Sequence, residues 1–433
     1  MSQILPYSDA VTNTLYALPV LNRETNVTKK RFNCNTGTAF AIGTNNEIKI
    51  PISGQAILAA NTTNLCFTIL NTGSEDAVLD FSPFSLFDKI SIEAGLGGAD
   101  LERCDDPGVF YANLGMYTYD QTTLVPMNGK MGTPIEAPAI ANGAFKKAGV
   151  TVPATNGSVF VSIPLSEVMG IFQKDLPLYG TDGITLVCRT SSSTGGAYVS
   201  ATNPSAAVVT ISTPFVVASM IDAGKDYENE LRQLKQTNGE VSLVFNTYAR
   251  ITQSVSASTI NDGQFLINDR SKSCLGFFTV ARTQSDITLS TAYSNSTSGF
   301  SGYVRHQYFI NGNPYPASAP ISTDAEALDE TYDTMRNFSR EKANAGLMGR
   351  TQGYIKTAYA STIAGQSALA SINLCKIAPS DNQQYGTGIN LNTSLQNYLQ
   401  LSFVPGATTQ LMIFTLCQKQ LFINASGQIT VPP

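Results

Sequence analysis

One order of elements occurs twice along this chain, about half its length apart. SLFDKISIEAGLGGADLE at residues 85–102 runs into DDPGVFYANLGMYTYD at 105–120, and GYVRHQYFINGNPYPA at 302–317 runs into TDAEALDETYDTMRNFSREKA at 323–343. Each reads as a strand, a Gly- or Asn-containing turn, a short strand and then a helix. The first helix opens on Asp105, Asp106 and Pro107, residues suited to an N-cap and first turn. Phe110, Leu114 and Tyr117 follow at helical spacing. The second opens on a capping pair, Thr323 and Asp324. A chain ordered this way is one fold built twice. No repeat of about 20–50 residues accompanies it, which disfavours solenoids and propellers.

Around these units the pattern is that of strands. In EIKIPI (47–52) apolar residues alternate with polar or charged ones, the period of a half-buried strand. LCFTIL, ITLVCR, VVTIST, FVVASMI, VSLVFNTYARITQSV, SCLGFFTVA, DITLSTAY (286–293), LQNYLQLSFVP and TTQLMIFTLCQKQLFIN read as further strands. Residues 121–157 are rich in Gly, Pro and Ala and read as a surface loop. YENELRQLKQTNGE (227–240) is the most charged and most helical stretch; its AsnGly is a C-terminal stop signal. Two β-sandwiches of about 200 residues each fit this order best.

Charged residues are only 14% of the chain and the net charge is −5. Duplex-DNA binders carry a basic face, and the basic cluster here is short: Lys29, Lys30 and Arg31 after Thr28, in a polar N-terminal arm. These three are the candidate contacts for nucleic acid or anionic lipid. The seven cysteines are scattered without a CxxC pair, against both a disulfide framework and a zinc site. Free buried thiols and a reducing compartment follow. The first residues lack a charged and apolar signal sequence, and no apolar run approaches the ~20 residues of a membrane span. Synthesis in the cytosol is the expectation.

Candidate chemistry is thin. His306 is the single histidine and sits mid-strand, a strand-face residue. GlyLeuGlyGly at 95–98 lacks the Lys of a phosphate-binding loop and opens no dinucleotide-binding unit; it reads as a hairpin turn. Asp324, Glu326, Asp329 and Glu330 lack calcium-loop spacing and read as a solvated or inter-subunit helix face. The Asn-x-Ser/Thr sites at Asn26, Asn61, Asn156, Asn295, Asn337, Asn392 and Asn424 need a secretory route. No catalytic residue, cofactor or metal is expected. The alternatives are a β-sandwich receptor- or carbohydrate-binding protein of a virus or phage and, third, a jelly-roll glycosidase, which needs paired carboxylates.

Several stretches together resemble the double jelly-roll major capsid proteins of tailless icosahedral viruses, virophages and polinton-like elements. FDKISIEAGLGGADLE with VFYANLGMYTY is similar to that family's first hairpin and aromatic helix. SIPLSEVMGIFQ resembles its Pro-Leu segment with a one-turn helix, and ENELRQLKQTNGEVSLVFNTYARI its junction helix and opening strand. FINGNPYPA resembles the second hairpin, while GTGINLNTSLQNYLQLSF and TTQLMIFTLCQKQLFINASGQITV match the closing strands. The resemblance spans roughly residues 38–433 and rests on the order of these motifs. The chain departs from the family in having no Trp and in carrying GlyLeuGlyGly where AsnGly is commoner. It implies an all-β fold of two consecutive eight-stranded jelly-roll β-sandwiches with short loop helices. The expected organisation is an N-terminal arm at 1–37, a first roll at 38–218, a connector with a helix at 219–240 and a second roll at 241–433. It also implies a homotrimer forming pseudo-hexagonal capsomers in a virion shell. Further implied partners are neighbouring capsomers, minor capsid or penton proteins, and an internal membrane or genome reached by the arm at the capsomer base, which makes Lys29, Lys30 and Arg31 the implied inner-surface contacts.

Overall fold

The computed structural model describes residues 26–118, 127–132, 148–200, 206–288, 295, 300, 302–336, 369–375, 388–393 and 396–432. The first half holds β1 (Asn26–Asn33), β2 (Ala39–Ala41), β3 (Glu47–Ile52), β4 (Ile57–Leu58), β5 (Asn64–Asn71), β6 (Ala77–Asp80) and β7 (Phe87–Ala94). It continues with β8 (Asp100–Asp105), helix α1 (Pro107–Thr118), β9 (Ala148–Val152), β10 (Gly157–Pro164), β11 (Leu176–Pro177), β12 (Ile184–Thr190), β13 (Tyr198–Ser200) and β14 (Val209–Asp222). Helix α2 (Gly224–Asn238) leads to β15 (Glu240–Val255), β16 (Ile260–Ile267), β17 (Cys274–Thr283), β18 (Arg305–Ile310) and β19 (Asn313–Tyr315). Helix α3 (Asp324–Arg336), β20 (Ala370–Asn373), β21 (Asn397–Phe403), β22 (Thr409–Asn424) and β23 (Ile429–Thr430) follow.

A seven-stranded sheet, β10-β5-β14-β4-β11 with β1 and β2 also on β14, packs with the four-stranded sheet β3-β12-β7-β8; β13-β6-β9 form a small third sheet. The second half has a five-stranded sheet, β15-β22-β17-β20 with β23 on β22, and the four-stranded sheet β16-β21-β18-β19. Among the described residues all strand pairings are antiparallel and none joins the two sets. The fold is all-β, two jelly-roll sandwiches in series. Each is divided more finely than eight strands, because short pairings such as β4–β11 and β6–β9 add to the main ladders.

Local chemistry explains most elements. In β3, Ile48, Ile50 and Ile52 are buried while Glu47, Lys49 and Pro51 between them are half-buried, as period-2 alternation demands. The AsnGly of the second hairpin turns on Asn311 and Gly312, both at positive φ (53° and 79°), the pair a two-residue turn requires. α2 buries Tyr227, Leu231 and Lys235, one residue per turn, and Lys235 Nζ donates to the Tyr179 carbonyl at 3.1 Å. Gly239, at φ 79°, ends the helix. At α3, the Glu326 N–H donates to Thr323 Oγ1 and the Thr323 N–H to the Glu326 carboxylate, a reciprocal capping box.

Four expectations are corrected. The arm is not wholly irregular: residues 26–33 form β1, held by the β14 ladder from Asn26↔Asp222 to Asn33↔Phe215. DITLSTAY is not a strand at its start, since Gln284–Thr288 form a short helix; residues 289–293 lie outside the described residues. The loop region 121–157 contains β9, recruited by β6. VVTIST and FVVASMI are one strand, β14, whose register shifts between Ser212 and Phe215, where Thr213 has φ 46°. A local bulge there keeps one long ladder continuous.

The apolar core does not stop at the boundary between the rolls. A larger cluster runs from the first roll through Phe245, Tyr248, Phe278 and Phe414 of the second; a smaller one, with Phe277, Tyr308 and Ile413, fills the second roll alone. β17 is thus buried on both faces, and nine of its ten residues are buried.

Candidate functional site

The three basic residues lie on an edge strand. Among the described residues β1 pairs only with β14, and seven of its eight residues are exposed. Strand alternation then separates the cluster, because successive side chains point to opposite faces. Lys30 stands opposite the buried Ala218, and Lys29 and Arg31 stand opposite Ser219 and Val217 on the outer face. There the Arg31 guanidinium lies 3.7 Å from the Phe215 ring centroid, and its Nε donates to Asn33 Oδ1 at 3.0 Å. Phe215 in turn stacks on Phe160, with centroids 6.3 Å apart; Phe160 is 58% exposed and Val27 61%.

Register also fixes which end of the roll this is. Asn26 pairs with Asp222, and Met220 and Ile221 of β14 pair with β4. At that same end Ile52, Ile184 and Ala94 meet, and the Gly95 N–H donates to the Gly183 carbonyl. α1 follows Asp105, which pairs with Lys89 at the opposite end. The chain before β1 therefore joins the molecule at the end carrying the 94–99 turn, away from α1.

The second region is the seam between the rolls. Phe110 of α1 stacks on Tyr248 of β15 at 3.8 Å between centroids, and Phe278 and Phe414 close the cluster with their own 4.6 Å stack. Tyr248 donates its hydroxyl hydrogen to the Asp105 carbonyl, and Arg250 is ion-paired with Asp106. Gly170 packs so tightly that a Cβ there would lie 1.7 Å from the Asn246 carbonyl oxygen.

Glu102 of β8 is buried at this seam and accepts the N–H groups of Gly170 and Ile171 at 2.8 and 3.0 Å. Burial pushes its carboxyl up to about 7, although those two hydrogen bonds, Thr247 and the Lys419 charge all pull the other way. The signal was present in the sequence: Glu102 is in phase with Cys104 on the inward face of a strand whose Arg103 points out.

A polar cleft of about 380 Å³ opens beside α1, lined in part by Lys89, Arg103, Arg189 and Arg250 with Asp88, Asp105 and Asp106. Four of its cations are ion-paired, Arg103 with Asp105, Arg189 with Glu47, Lys89 with Asp100 and Arg250 with Asp106. Three of these pairs lie within the first roll, and Arg250–Asp106 crosses the seam.

His306 is the second residue of β18 and is buried. Its Nε2 donates to the Ser371 carbonyl at 3.0 Å and its Nδ1 lies 2.6 Å from the Tyr303 hydroxyl. Burial lowers its pKa to about 4, so the ring is neutral at pH 7. GlyLeuGlyGly is the β7–β8 turn, with Gly95 and Gly97 at φ 57° and 78°. On α3, Glu326 and Asp329 are exposed, whereas Glu330 is half-buried and accepts the Asn373 N–H at 3.1 Å. The seven cysteines are free thiols. Among the described residues no cluster of metal-ligating side chains occurs, and no helix is long and apolar enough to cross a membrane.

No protein-family model matches the sequence, and no curated protein does. Solved structures do match, over nearly the whole chain. PBCV-1 VP54, as fitted into a cryo-EM reconstruction of the virophage Sputnik, is similar at 11% identity with a TM-score of 0.60, covering 96% of this chain and 99% of that one. The Faustovirus major capsid protein gives 9% identity and a TM-score of 0.58, over 92% and 90% of the two chains. The mavirus major capsid protein gives 10% and 0.52, over 94% and 90%. At such identities the likeness is one of fold, and the fold is the double jelly roll of viral major capsid proteins.

Proposed function

We propose that this chain is a structural major capsid protein that acts by assembly rather than by catalysis. The observation that carries the reading is the match of both rolls and their connector, end to end, to capsid proteins. Two similar sandwiches per chain make six comparable towers in a homotrimer, a pseudo-hexagonal unit that tiles an icosahedral shell around a genome. A chain with 14% charged residues has few charges to desolvate at such contacts. The partners are further copies of the chain, neighbouring capsomers and minor capsid or penton proteins. The site of action is the virion, after synthesis in the host cytoplasm.

Lys29, Lys30 and Arg31 stand near the end where the preceding chain joins, and this end faces the interior. Their anionic partners there are acidic groups of a minor protein, lipid headgroups or genome phosphate. The test is sedimentation of the purified chain. A species of three times 46.2 kDa, burying over ~2,000 Å² per interface as obligate assemblies do, is expected. A stable monomer at micromolar concentration overturns the reading.

A further inference from the structure

We infer that the seam inside one chain is repeated between chains: β19, the end strand of one copy's second roll, packs beside β1 of the next copy. This deepens the shell-forming reading above and rests on it. The two rolls correspond strand for strand. In the larger sheets β10, β5, β14 and β1 match β20, β17, β22 and β15; in the smaller ones β3-β12-β7-β8 matches β16-β21-β18-β19. β15 is therefore the counterpart of β1, and β19 the counterpart of β8.

The seam joins one end strand of each roll. β8 lies beside β15, with the Tyr248 hydroxyl on the Asp105 carbonyl and Arg250 paired with Asp106. In the first roll the end strands lie on opposite sides of the sandwich: β1 packs near β3, at the far end of the smaller sheet from β8. The same strand order in the second roll sets β15 and β19 apart in the same way. The seam thus uses the β8 side of one roll and the β15 side of the other, and leaves β1 and β19 on the two outer flanks of the chain. Burial records the difference. Thr247 and Tyr248 of β15 lie against Glu102 and Cys104, the inward-facing residues of β8, and both of these are buried. Tyr315 faces inward on β19, opposite the buried Tyr308, yet it is only half-buried, and Val27 on β1 is 61% exposed.

Level and charge select the second roll of another copy as the occupant. β1 starts at the end carrying the 94–99 turn, and β19 starts at the AsnGly turn, which is that turn's counterpart. The two strands therefore rise from the same end of their rolls. Two β1 strands set together antiparallel would instead place Lys29, Lys30 and Arg31 against the same residues, and like charges directly opposite are destabilising. Residues 311–320, NGNPYPASAP, carry no charge and offer Pro314 and Tyr315 as apolar surface for Val27. The contact uses different surfaces on the two copies, the head-to-tail kind that forms a ring when the rotation closes.

The test uses the full chain with p-benzoylphenylalanine in place of Tyr315, assembled from equal parts of ¹⁵N-labelled and unlabelled copies and then irradiated. Sedimentation is measured first: a wild-type chain that stays monomeric overturns the capsid reading and this inference with it. With assembly in hand, cross-links from position 315 should reach residues 26–33 and include mixed-isotope pairs. Val27→Glu, at an exposed site of the single chain, should keep the wild-type unfolding midpoint and lose assembly at concentrations where wild type stays whole. If that variant fails to fold, the cross-links decide. Same-isotope cross-links only, cross-links elsewhere, or a folded Val27→Glu chain that assembles like wild type each overturn the repeated seam while leaving the capsid reading in place.

Discussion

The seam and β1 are both margins of the first roll, and they are built in opposite ways. At the seam Phe110, Tyr248, Phe278 and Phe414 are buried and stacked, and the Arg250–Asp106 ion pair crosses beside them. Burying one large apolar side chain contributes roughly 1.5–3 kcal/mol, so the two rolls are held by terms that assembly need not supply. β1 has almost none of this. It is held by a one-sided ladder, the half-buried Phe32 that faces the core, and one cation over one ring. The contrast teaches that the joint between the rolls is built from buried side chains, whereas the outer strand is held mainly by its backbone ladder.

The largest break in that comparison is expected from Phe110→Ala. It removes a fully buried ring that touches three aromatic rings of the second roll, and should cost about 3–5 kcal/mol in denaturant unfolding. It should also separate the unfolding transitions of the two halves; a loss below ~1 kcal/mol would mean that the seam is not the joint described. Gly170→Ala is expected to cost about 1–3 kcal/mol or more, since the new Cβ meets the Asn246 backbone carbonyl, which cannot swing aside. Gly97→Ala, with open space around the same position of its side chain, is the control and carries only the strain of its positive φ.

Glu102 sharpens the comparison through pH. Its folded-state pKa, about 7, is above the 4.5 of an ordinary Glu, so the folded state holds the proton more tightly. The group therefore stabilises the fold fully below about pH 4.5, and that contribution is lost as pH rises through 7, by about 3 kcal/mol in all at ~1.4 kcal/mol per pH unit. In Glu102→Gln, which keeps one carbonyl oxygen to accept from Gly170 or Ile171 and cannot ionise, this dependence should vanish. The stability difference between wild type and Glu102→Gln should thus change across pH 4.5–7; a constant difference would sink the assignment. Smallest of all, Lys29→Ala and Arg31→Ala should move stability by less than about 0.5 kcal/mol, as exposed substitutions do. Their effect should fall on assembly, whose salt dependence they reduce; unchanged salt dependence would remove them from any interface.

β3 and the AsnGly hairpin were legible in the sequence because their signals are local: alternating isoleucines, and two residues suited to positive φ. α1 was legible too, from Asp106, Pro107 and the spacing of Phe110 and Leu114, although what it covers was not. Glu102 could have been marked as an inward-facing carboxylate from its phase with Cys104, but its ligands could not, since Gly170 and Ile171 lie 68 and 69 residues away. β1 failed for a different reason. Apart from the half-buried Phe32 its residues are exposed, so they show no alternation, and they are a strand because β14, nearly two hundred positions on, supplies the ladder.

By itself, then, the sequence determined the all-β class, the doubling of the unit and most strand positions, because those follow from side-chain period and turn chemistry within a few residues. Only the tertiary structure decided that Lys29 and Arg31 part from Lys30, that an aromatic helix of one roll closes a sheet of the other, and that a carboxylate is sealed between them. Those outcomes depend on which distant backbone groups pair and which faces are left uncovered, and no local pattern encodes either.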